Sequence, residues 1–182
     1  MSAPDARRAL AFLREYNSLE GVLREGWVMS GVPDPEDVAA HSAGVGVAAL
    51  LIADRLDVPV DRGRLLAMAL LHDLGEARTG DVPLIRKTPD DEAREHAAAD
   101  DLVSGLPSFY REVLDEVRAQ ESLEARIVKA ADKLQMMAKV LAYEAEGRGD
   151  LSRFWENPRN FHDAGLPAAR ALFEAVRAAQ GG

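Results

Sequence analysis

Cysteine is absent from this 182-residue sequence, and so is any long apolar run. Without thiols the chain forms no disulfide and offers no thiolate to a metal ion, so a metal site would need imidazole and carboxylate ligands. The apolar stretch VGVAALLIA at 45–53 is far shorter than the roughly 18 residues typical of a membrane-spanning helix. The first residues, MSAPDARRALAFL, lack the apolar segment and cleavage pattern of a secretory signal. We therefore expect a cytoplasmic protein that does not insert into a membrane.

Positive charge is also scarce. The chain has 22 lysines and arginines against 31 aspartates and glutamates, which gives a net charge of −9. Because affinity for a nucleic-acid polymer comes from clustered basic residues, such a polymer is not expected as a partner. One small phosphate ester held in a local pocket is compatible with the acidic surface. The length predicts one domain, residues 1–182, with a single substantial core.

The third absence is the strand-like alternation of apolar and polar residues. Alanine, leucine, arginine and glutamate dominate, and apolar residues recur at helical spacing. The pattern predicts an all-α bundle of about six to eight helices, with Asp61 as an N-cap. The segments REGWVMSGVPDPEDV, 81–92 and WENPRNFHDAGLP are predicted loops. The predicted helices span about 6–23, 36–55, 62–77, 91–104, 107–119, 122–146 and 167–179.

Four ionisable side chains interrupt apolar helical segments. His41 lies within VAAHSAGVGVAALL, His72 and Asp73 end LLAMALLHD, and Asp132 lies within IVKAADKLQMM. Burying an imidazole or carboxylate without a partner costs roughly several kcal/mol, so the repeated pattern indicates a compensating metal ion or hydrogen-bond network. Two imidazoles and two carboxylates are a sensible ligand set for Mn²⁺, Fe²⁺, Co²⁺, Mg²⁺ or Zn²⁺. Glu76, three residues after Asp73, faces the same side and is available as an acid or a base.

Each of these side chains also has a structural explanation when it is taken alone. His41 would then be a hydrogen-bonded core histidine. Asp132 would be the ion-pair partner of Lys129 or Arg126. The functional interpretation depends on the order and spacing of the four residues together.

The order H…HD…D resembles the pattern of the HD-domain metal-dependent phosphohydrolases. Three blocks extend the likeness: GWVMSGVPDPEDVAAHS, ALLHDLGEARTGDVP and EARIVKAADKLQM. Together they resemble the 5′-deoxynucleotidase branch of that superfamily, the YfbR-like and HDDC2-like proteins, over most of residues 10–156. The resemblance implies a helical HD domain with its metal-binding core at about 10–156 and a homodimer, whereas the C-terminal helix at about 167–179 rests on its apolar periodicity alone.

The resemblance also implies a role for each motif residue. One divalent metal ion would be bound by four residues, namely His41, His72, Asp73 and Asp132. Glu76 would be the catalytic carboxylate, and Asp81 would contribute to catalysis and to the nucleotide pocket. The loop after Asp81 would line the sugar through Val82, Pro83 and Leu84. Acidic residues nearby meet extra metal ions in HDDC2-like proteins, and the candidates here are Glu92 and Glu95. His96 and His162 match no motif and are interpreted as surface or loop residues.

Phosphate binding is where the sequence departs from the family pattern. The family's tryptophan, here Trp27, lies beside the sugar and phosphate and would be a steric gate against a 2′-hydroxyl. Its structural explanation is a loop tryptophan that caps the core. In the bacterial enzymes an arginine directly precedes this tryptophan. Here Gly26 takes that position, and the nearest arginine is Arg24. The HDDC2-like proteins share this arrangement. The candidates for holding the phosphate are therefore Arg24, Lys133 and Lys87.

The activity that the resemblance implies is metal-dependent hydrolysis of the 5′-phosphate of (deoxy)nucleoside monophosphates to a nucleoside and inorganic phosphate. Glu76 would orient or deprotonate the attacking water, or else protonate the leaving 5′-oxygen. Two alternatives stay open: an HD hydrolase of another phosphate ester (a nucleoside triphosphate, a cyclic nucleotide or a specialised metabolite), and a non-catalytic HD scaffold. The small acidic chain argues against a triphosphohydrolase, and retention of every motif residue argues against a scaffold.

Overall fold

Helices supply the regular structure of residues 3–180, the part of the chain that the computed structural model describes. The one strand-like feature in this range is an isolated antiparallel bridge between Leu23 and Asp37. Seven helices of this range have ten or more residues, so the prediction of an all-α bundle is confirmed. Two 3₁₀ segments lie at Ser18–Gly21 and Pro158–Phe161. The α-helices are α1 (Ala3–Asn17), α2 (Glu25–Val28), α3 (Val38–Ala53), α4 (Arg62–Leu71), α5 (Glu76–Thr79), α6 (Pro89–Val103), α7 (Ser108–Ala119), α8 (Leu123–Ala145), α9 (Ser152–Glu156) and α10 (Pro167–Ala178).

The longest helix, α8, lies at the centre and packs against α3, α4, α7 and α10. Helix α3 carries no ionisable side chain apart from His41, and a helix that is apolar on most sides is buried on most sides. Ile52 of α3, Leu65 of α4 and Ile127 of α8 are fully buried in the shared core. This packing brings the N-terminal half of α3, the end of α4 and the middle of α8 together.

Side-chain caps fix where α3 and α4 begin. The carboxylate of Asp61 accepts a hydrogen bond from the backbone N–H of Arg64, which confirms the predicted N-cap of α4. Asp37 accepts from the N–H of Ala40 in the same way and sets the start of α3. Since His41 lies four residues after this cap, the cap places the imidazole in the first turn of α3.

Several predicted boundaries were wrong. The predicted helix 62–77 stops at Leu71, and a turn separates it from the single-turn helix α5. Gly75 lies in this turn, where a Cβ atom would overlap the backbone carbonyl of Glu95 in α6, so α6 passes too close for any larger residue. The first predicted helix, at about 6–23, ends as an α-helix at Asn17 and continues as a 3₁₀ turn. The predicted loops at 24–38 and 155–167 contain α2 and the second 3₁₀ segment, because local turns satisfy their backbone groups.

The segment after α5 is the connection nearest the ionisable cluster. Gly80 adopts φ +74°, a conformation that favours glycine, and turns the chain out of α5. Residues 81–88 carry no regular helix until Thr88 caps α6 with a reciprocal capping box. The predicted loop at 81–92 is therefore confirmed up to residue 88, and α6 begins earlier than predicted. In the described range, no helix combines the length and the apolar character needed to cross a bilayer.

Candidate active site

Three helices bring the four predicted metal-binding residues together. His41 comes from α3, Asp132 from α8, and His72 and Asp73 from the turn that follows α4. The His41 Nε2 atom lies 3.3 Å from an Asp132 carboxylate oxygen and 3.8 Å from Asp73 Oδ2. The His72 Nε2 atom lies 3.2 Å from the same Asp73 oxygen. One ligand atom each from His41, His72 and Asp73 lies within 4.8 Å of the others, which is close enough for one ion to reach all three.

The second ring nitrogen of each histidine fixes its tautomer. His41 Nδ1 lies 2.7 Å from the side-chain oxygen of Gln135, and His72 Nδ1 lies 2.8 Å from the backbone oxygen of Ala69. Because an amide oxygen only accepts, each Nδ1 carries a proton, and Nε2 is the ring nitrogen left to bind a metal ion. Both Nε2 atoms are buried and have no hydrogen-bond partner within residues 3–180. Two ring nitrogens that face carboxylates suit a divalent cation, which would replace any proton held between them, and the outer hydrogen bonds are of the kind that orients metal-binding histidines.

Both carboxylates of the cluster are held in the charged form. Burial would raise the pKa of the Asp73 carboxyl, but His72 and Arg24 beside it hold that pKa well below its ordinary value. Burial acts on Asp132 in the same way, and Lys133 and His41 lower the pKa of that carboxyl well below its usual range. Ionised carboxylates with neutral imidazoles are the protonation states in which these side chains bind a metal ion.

Glu76 is the most unusual acid of the site. It begins α5, its side chain is only 2% exposed, and its Oε2 atom has no hydrogen-bond partner in the described chain. Burial, together with the charges of Asp73 and Asp81, raises the pKa of this carboxyl to about 10. In the protein alone the uncharged acid is therefore the stable form at neutral pH, and a cation beside it would favour the carboxylate.

A second group of acids adjoins the first. Carboxylate oxygens of Asp73, Glu76 and Glu95 lie within 4.8 Å of one another. Glu95, on α6, also forms an ion pair with Lys87 from the preceding loop. Glu92 lines the neighbouring cavity without joining this group among residues 3–180. The ammonium of Lys87 thus already neutralises one member of the group.

A cavity of about 650 Å³ opens beside the cluster. His72, Asp73, Glu76 and Asp132 line it, whereas His41 is fully buried behind its wall. His96, interpreted from sequence as a surface or loop residue, lies half-buried on α6 and lines the cavity, so it is not a loop residue. All the predicted substrate-contact residues line the cavity as well: Arg24, Trp27, Asp81, Val82, Pro83, Leu84, Lys87 and Lys133.

Arg24 and Asp81 are tied to each other and to the cluster. An Arg24 guanidinium nitrogen lies 3.2 Å from Asp73 Oδ2 and 3.6 Å from an Asp81 oxygen. Burial would lower the pKa of Arg24, but these acids raise it above its ordinary value. The other Asp81 oxygen accepts a hydrogen bond of 2.6 Å from the backbone N–H of Glu25 at the start of α2. Both Asp81 oxygens thus already have partners within the protein. A direct part of Asp81 in catalysis stays a prediction.

Trp27 is a core residue with one side open to the cavity. Its side chain is 2% exposed, stacks on Phe154 at 4.5 Å and meets Tyr143 edge-on at 5.3 Å between ring centroids. Its indole N–H donates to Glu36 at 3.0 Å. The core-capping explanation of Trp27 is confirmed by this burial, and the role of a steric gate stays a prediction.

Two polar residues that the sequence analysis did not assign to the site connect Trp27 to His41. The Gln135 amide donates to Glu36 Oε2 at 3.0 Å while its oxygen accepts from His41 Nδ1. The other Glu36 oxygen accepts from Trp27. Glu36 lies directly before Asp37, the N-cap of α3. The sequence did contain one indication that Gln135 belongs to the site, because it lies three residues after Asp132, on the same face of the helix.

The structural explanation proposed for Asp132 is not the arrangement observed. Its ion pair is with the adjacent Lys133, at 2.9 Å, and its other oxygen faces His41. The guanidinium of Arg126 donates instead to the backbone oxygen of Ala164. His162, by contrast, is exposed as expected.

Similar proteins share both the sequence and the fold. The family model described as HD domain matches residues 16–168. The 5′-deoxynucleotidase HDDC2 of Bos taurus is 34% identical over 150 residues, which cover 79% of this chain and 72% of that protein. The 5′-deoxynucleotidase YGK1 of Saccharomyces cerevisiae is 32% identical over 171 residues, which cover 85% of this chain and 76% of that protein.

Solved structures extend the similarity to three dimensions. A conserved hypothetical protein from Pyrococcus furiosus is 34% identical and superposes with a TM-score of 0.77, covering 94% of this chain and 98% of that one. A protein of Magnetospirillum magnetotacticum, described as a predicted metal-dependent phosphohydrolase, is 26% identical with a TM-score of 0.70, covering 98% of this chain and 96% of that one. The family match and this neighbour imply a divalent metal ion, and the His–Asp cluster is where the present chain can hold one.

Proposed function

The chain belongs to the HD-domain family, in its HDDC2-like group, and on that premise we propose that it hydrolyses the 5′-phosphate of (deoxy)nucleoside monophosphates. The products would be a nucleoside and inorganic phosphate. The observation that carries the proposal is the pair of buried histidine Nε2 atoms that face Asp73 and Asp132 beside the cavity and have no hydrogen-bond partner among the described residues. The 5′-deoxynucleotidase names of the relatives supply the substrate class.

We propose that His41, His72, Asp73 and Asp132 hold one divalent ion. When bound, such an ion supplies Lewis acidity, which lowers the pKa of water and offsets negative charge at phosphorus. Nitrogen and oxygen ligands without sulfur accept Mn²⁺, Co²⁺, Mg²⁺, Fe²⁺ or Zn²⁺, and the activity assay decides among them. The hydrogen bonds that the Nδ1–H groups of His41 and His72 donate to the oxygens of Gln135 and Ala69 keep each Nε2 turned toward the metal site.

We assign the proton transfer to Glu76. Its Oε2 atom has no hydrogen-bond partner within residues 3–180, and the side chain borders both the cluster and the cavity. Glu76 either takes a proton from the attacking water or gives one to the leaving 5′-oxygen, and both roles move a single proton. Arg24 and Asp81 would hold the start of α2, and with it Trp27, against the sugar. The loop residues Val82, Pro83 and Leu84 would cover the sugar from the other side.

The first experiment is phosphate release from a panel of deoxy and ribo 5′-mononucleotides, with each metal ion in turn and with EDTA. We expect metal-dependent release that favours the deoxy substrates. Release abolished by EDTA and restored by one metal would support the metal role. If a protein that still binds metal releases no phosphate from any monophosphate, the proposal is refuted and another ester becomes the candidate.

A second experiment separates the two roles of Glu76. Glu76→Gln should lower turnover of dAMP by about 10²- to 10⁴-fold and leave metal affinity nearly unchanged. The leaving group of p-nitrophenyl phosphate needs no proton, so a general acid is dispensable for that substrate. Retained turnover of p-nitrophenyl phosphate identifies Glu76 as the acid, and its loss identifies Glu76 as the base. Glu20→Gln, at an exposed site outside the cavity, is the matched control.

The single HD domain over 1–182, the cytoplasmic location and the homodimer stay predictions. In support of a dimer, α3 exposes Val47 and Leu51 on one face, with 60% and 44% of these side chains accessible. A second copy would cover this apolar surface. Light scattering during size-exclusion chromatography measures the mass, and a monomer at high protein concentration would contradict the dimer.

A further inference from the structure

The cations that line the cavity are mostly committed to acids of the protein itself. Arg24 pairs with Asp73 and Asp81, and Lys133 pairs with Asp132. The remaining pairs are Lys87 with Glu95 and Arg118 with Asp100. Each of these cations would have to leave, or share, a carboxylate before it could hold an anionic ligand. The three phosphate-binding candidates taken from the sequence all belong to this committed set.

Lys129 is the half-buried cation of this cavity that forms no ion pair with an acid among residues 3–180. It lies on α8, three residues before Asp132 and four before Lys133, so all three share one face of the helix. Its side chain lines the cavity and is half-buried, between the buried residues Val128 and Ala130. Within residues 3–180, its ammonium has no hydrogen bond and no carboxylate at ion-pair distance.

One other cavity-lining cation, Arg153, also has no ion pair in the described chain. Arg153 differs because it is exposed to water and lies in the field of Asp150. Lys129, by contrast, lies on α8 one helical turn from Asp132, on the face of the helix that carries the metal-binding candidate. Of the two unpaired cations that line the cavity among residues 3–180, Lys129 is therefore the one that shares a helix with the metal cluster.

We propose that Lys129 is the residue that binds the phosphoryl oxygens of the substrate. The inference rests on the proposed function, because it takes the anion to be the phosphate of that substrate. A lysine supplies a mobile point charge with three donors, which suits a phosphate at the wall of the site. Lys133 then has a different role, because it stays with Asp132 and keeps that carboxylate ionised. Lys129 thus adds a substrate-binding residue that motif comparison did not single out.

The test compares Lys129→Met with the wild type in two assays that use the metal-loaded protein. Binding of inorganic phosphate, measured by isothermal titration calorimetry, should weaken by about 10- to 100-fold, the range expected for loss of one charged hydrogen-bond donor. The KM for dAMP should rise in parallel. Affinity for the metal ion should stay within about twofold of wild type, since the pair of Lys133 with Asp132 is untouched.

Three comparisons make the result specific. Lys129→Arg keeps the charge and should restore phosphate binding to within a few-fold of wild type. Arg14→Met removes one exposed cation outside the cavity and should leave both assays unchanged, which controls for net charge. The melting temperature of each variant in EDTA reports whether the substitution damages the fold.

The outcomes separate this inference from the proposed function. If Lys129→Met binds phosphate as tightly as Arg14→Met, or if the wild type binds no phosphate, the role of Lys129 is overturned. If nucleotides are hydrolysed but phosphate affinity does not depend on Lys129, the function stands and the inference falls. If no nucleotide is hydrolysed but phosphate affinity depends on Lys129, the anion site stands and the proposed substrate falls.

Discussion

Replacing Gln135 by leucine is the sharpest test of how the metal cluster is organised. The substitution keeps the side-chain volume but removes two partly buried hydrogen bonds, of 2.7 Å to His41 and 3.0 Å to Glu36. Without the Gln135 oxygen, the proton of His41 has no acceptor at Nδ1. In the absence of metal it can move to Nε2, which lies 3.3 Å from an Asp132 oxygen. The variant therefore relaxes into a tautomer that cannot bind a metal through Nε2.

The size of the effect follows from this tautomer change. Metal binding must return the proton to Nδ1, where it is buried without an acceptor, and an unsatisfied buried donor costs about 1–3 kcal/mol. That cost corresponds to a loss of about 5- to 150-fold in metal affinity. The range agrees with the roughly 10- to 100-fold typical of substitutions behind a metal-binding histidine. Because the metal-free variant can relax, its stability in EDTA should fall by less than about 1 kcal/mol, or roughly 2–4 °C.

The assay is calorimetric titration with Mn²⁺ and Co²⁺, paired with thermal unfolding in EDTA. Gln180→Leu, at an exposed position near the end of the described chain, is the same substitution away from the site and should change neither result. Metal affinity within twofold of wild type would refute the reasoning. So would a large loss of stability in EDTA, since Gln135 would then be a structural residue rather than one that orients His41.

Gly44→Ala tests the same hydrogen bond without altering any functional group. A Cβ atom at Gly44 would lie 2.9 Å from Gln135 Cγ and 3.1 Å from its amide nitrogen, closer than ordinary contact. The flexible Gln135 side chain must shift, so the hydrogen bond to His41 should weaken. We expect a metal affinity between those of the wild type and Gln135→Leu. An affinity below that of Gln135→Leu would show that the alanine disturbs α3 itself.

Three further predictions concern single substitutions of residues that line the cavity. Gly75→Ala places a Cβ against the Glu95 backbone and should destabilise the fold by about 2 kcal/mol or more, seen as a lower melting temperature in EDTA. Asp81→Ala removes the acceptor of the Glu25 N–H and should cost about 1 kcal/mol in unfolding free energy while raising the KM for dAMP; an unchanged KM would contradict its part in the pocket. Trp27→Phe shortens the ring beside the cavity and should raise AMP turnover relative to dAMP, and an unchanged ratio would exclude the steric gate.

The helical class and the motif positions could be predicted because they depend on local interactions. Periodicity of three to four residues identifies a buried helix face, and a cap such as Asp61 acts on a backbone group three residues away. Glycine and proline indicated most helix boundaries, because they too act on the backbone of their immediate neighbours. The turn at Gly75 escaped prediction, since the close approach of Glu95 that requires it comes from a different helix.

The four metal-binding candidates were also predictable, although their contacts were not. Their order along the chain resembles a known pattern, and the structure places them side by side. What surrounds them depends on packing between distant segments: Gln135 lies 94 residues from His41, and Glu36 lies 99 residues from Gln135. No local rule joins such residues, so this network was missed.

The sequence by itself determined an all-α protein, the positions of its main helices and a set of histidines and carboxylates suited to a divalent ion. Only the tertiary structure decided which cations are already paired, which histidine nitrogen is free and which acid is buried. Arg24, Lys87 and Lys133 were equal candidates along the chain, yet each meets a carboxylate after folding, whereas Lys129 meets none within residues 3–180. The physical reason is that helix formation depends on neighbours three or four residues apart, whereas charge pairing and burial depend on which helices pack together.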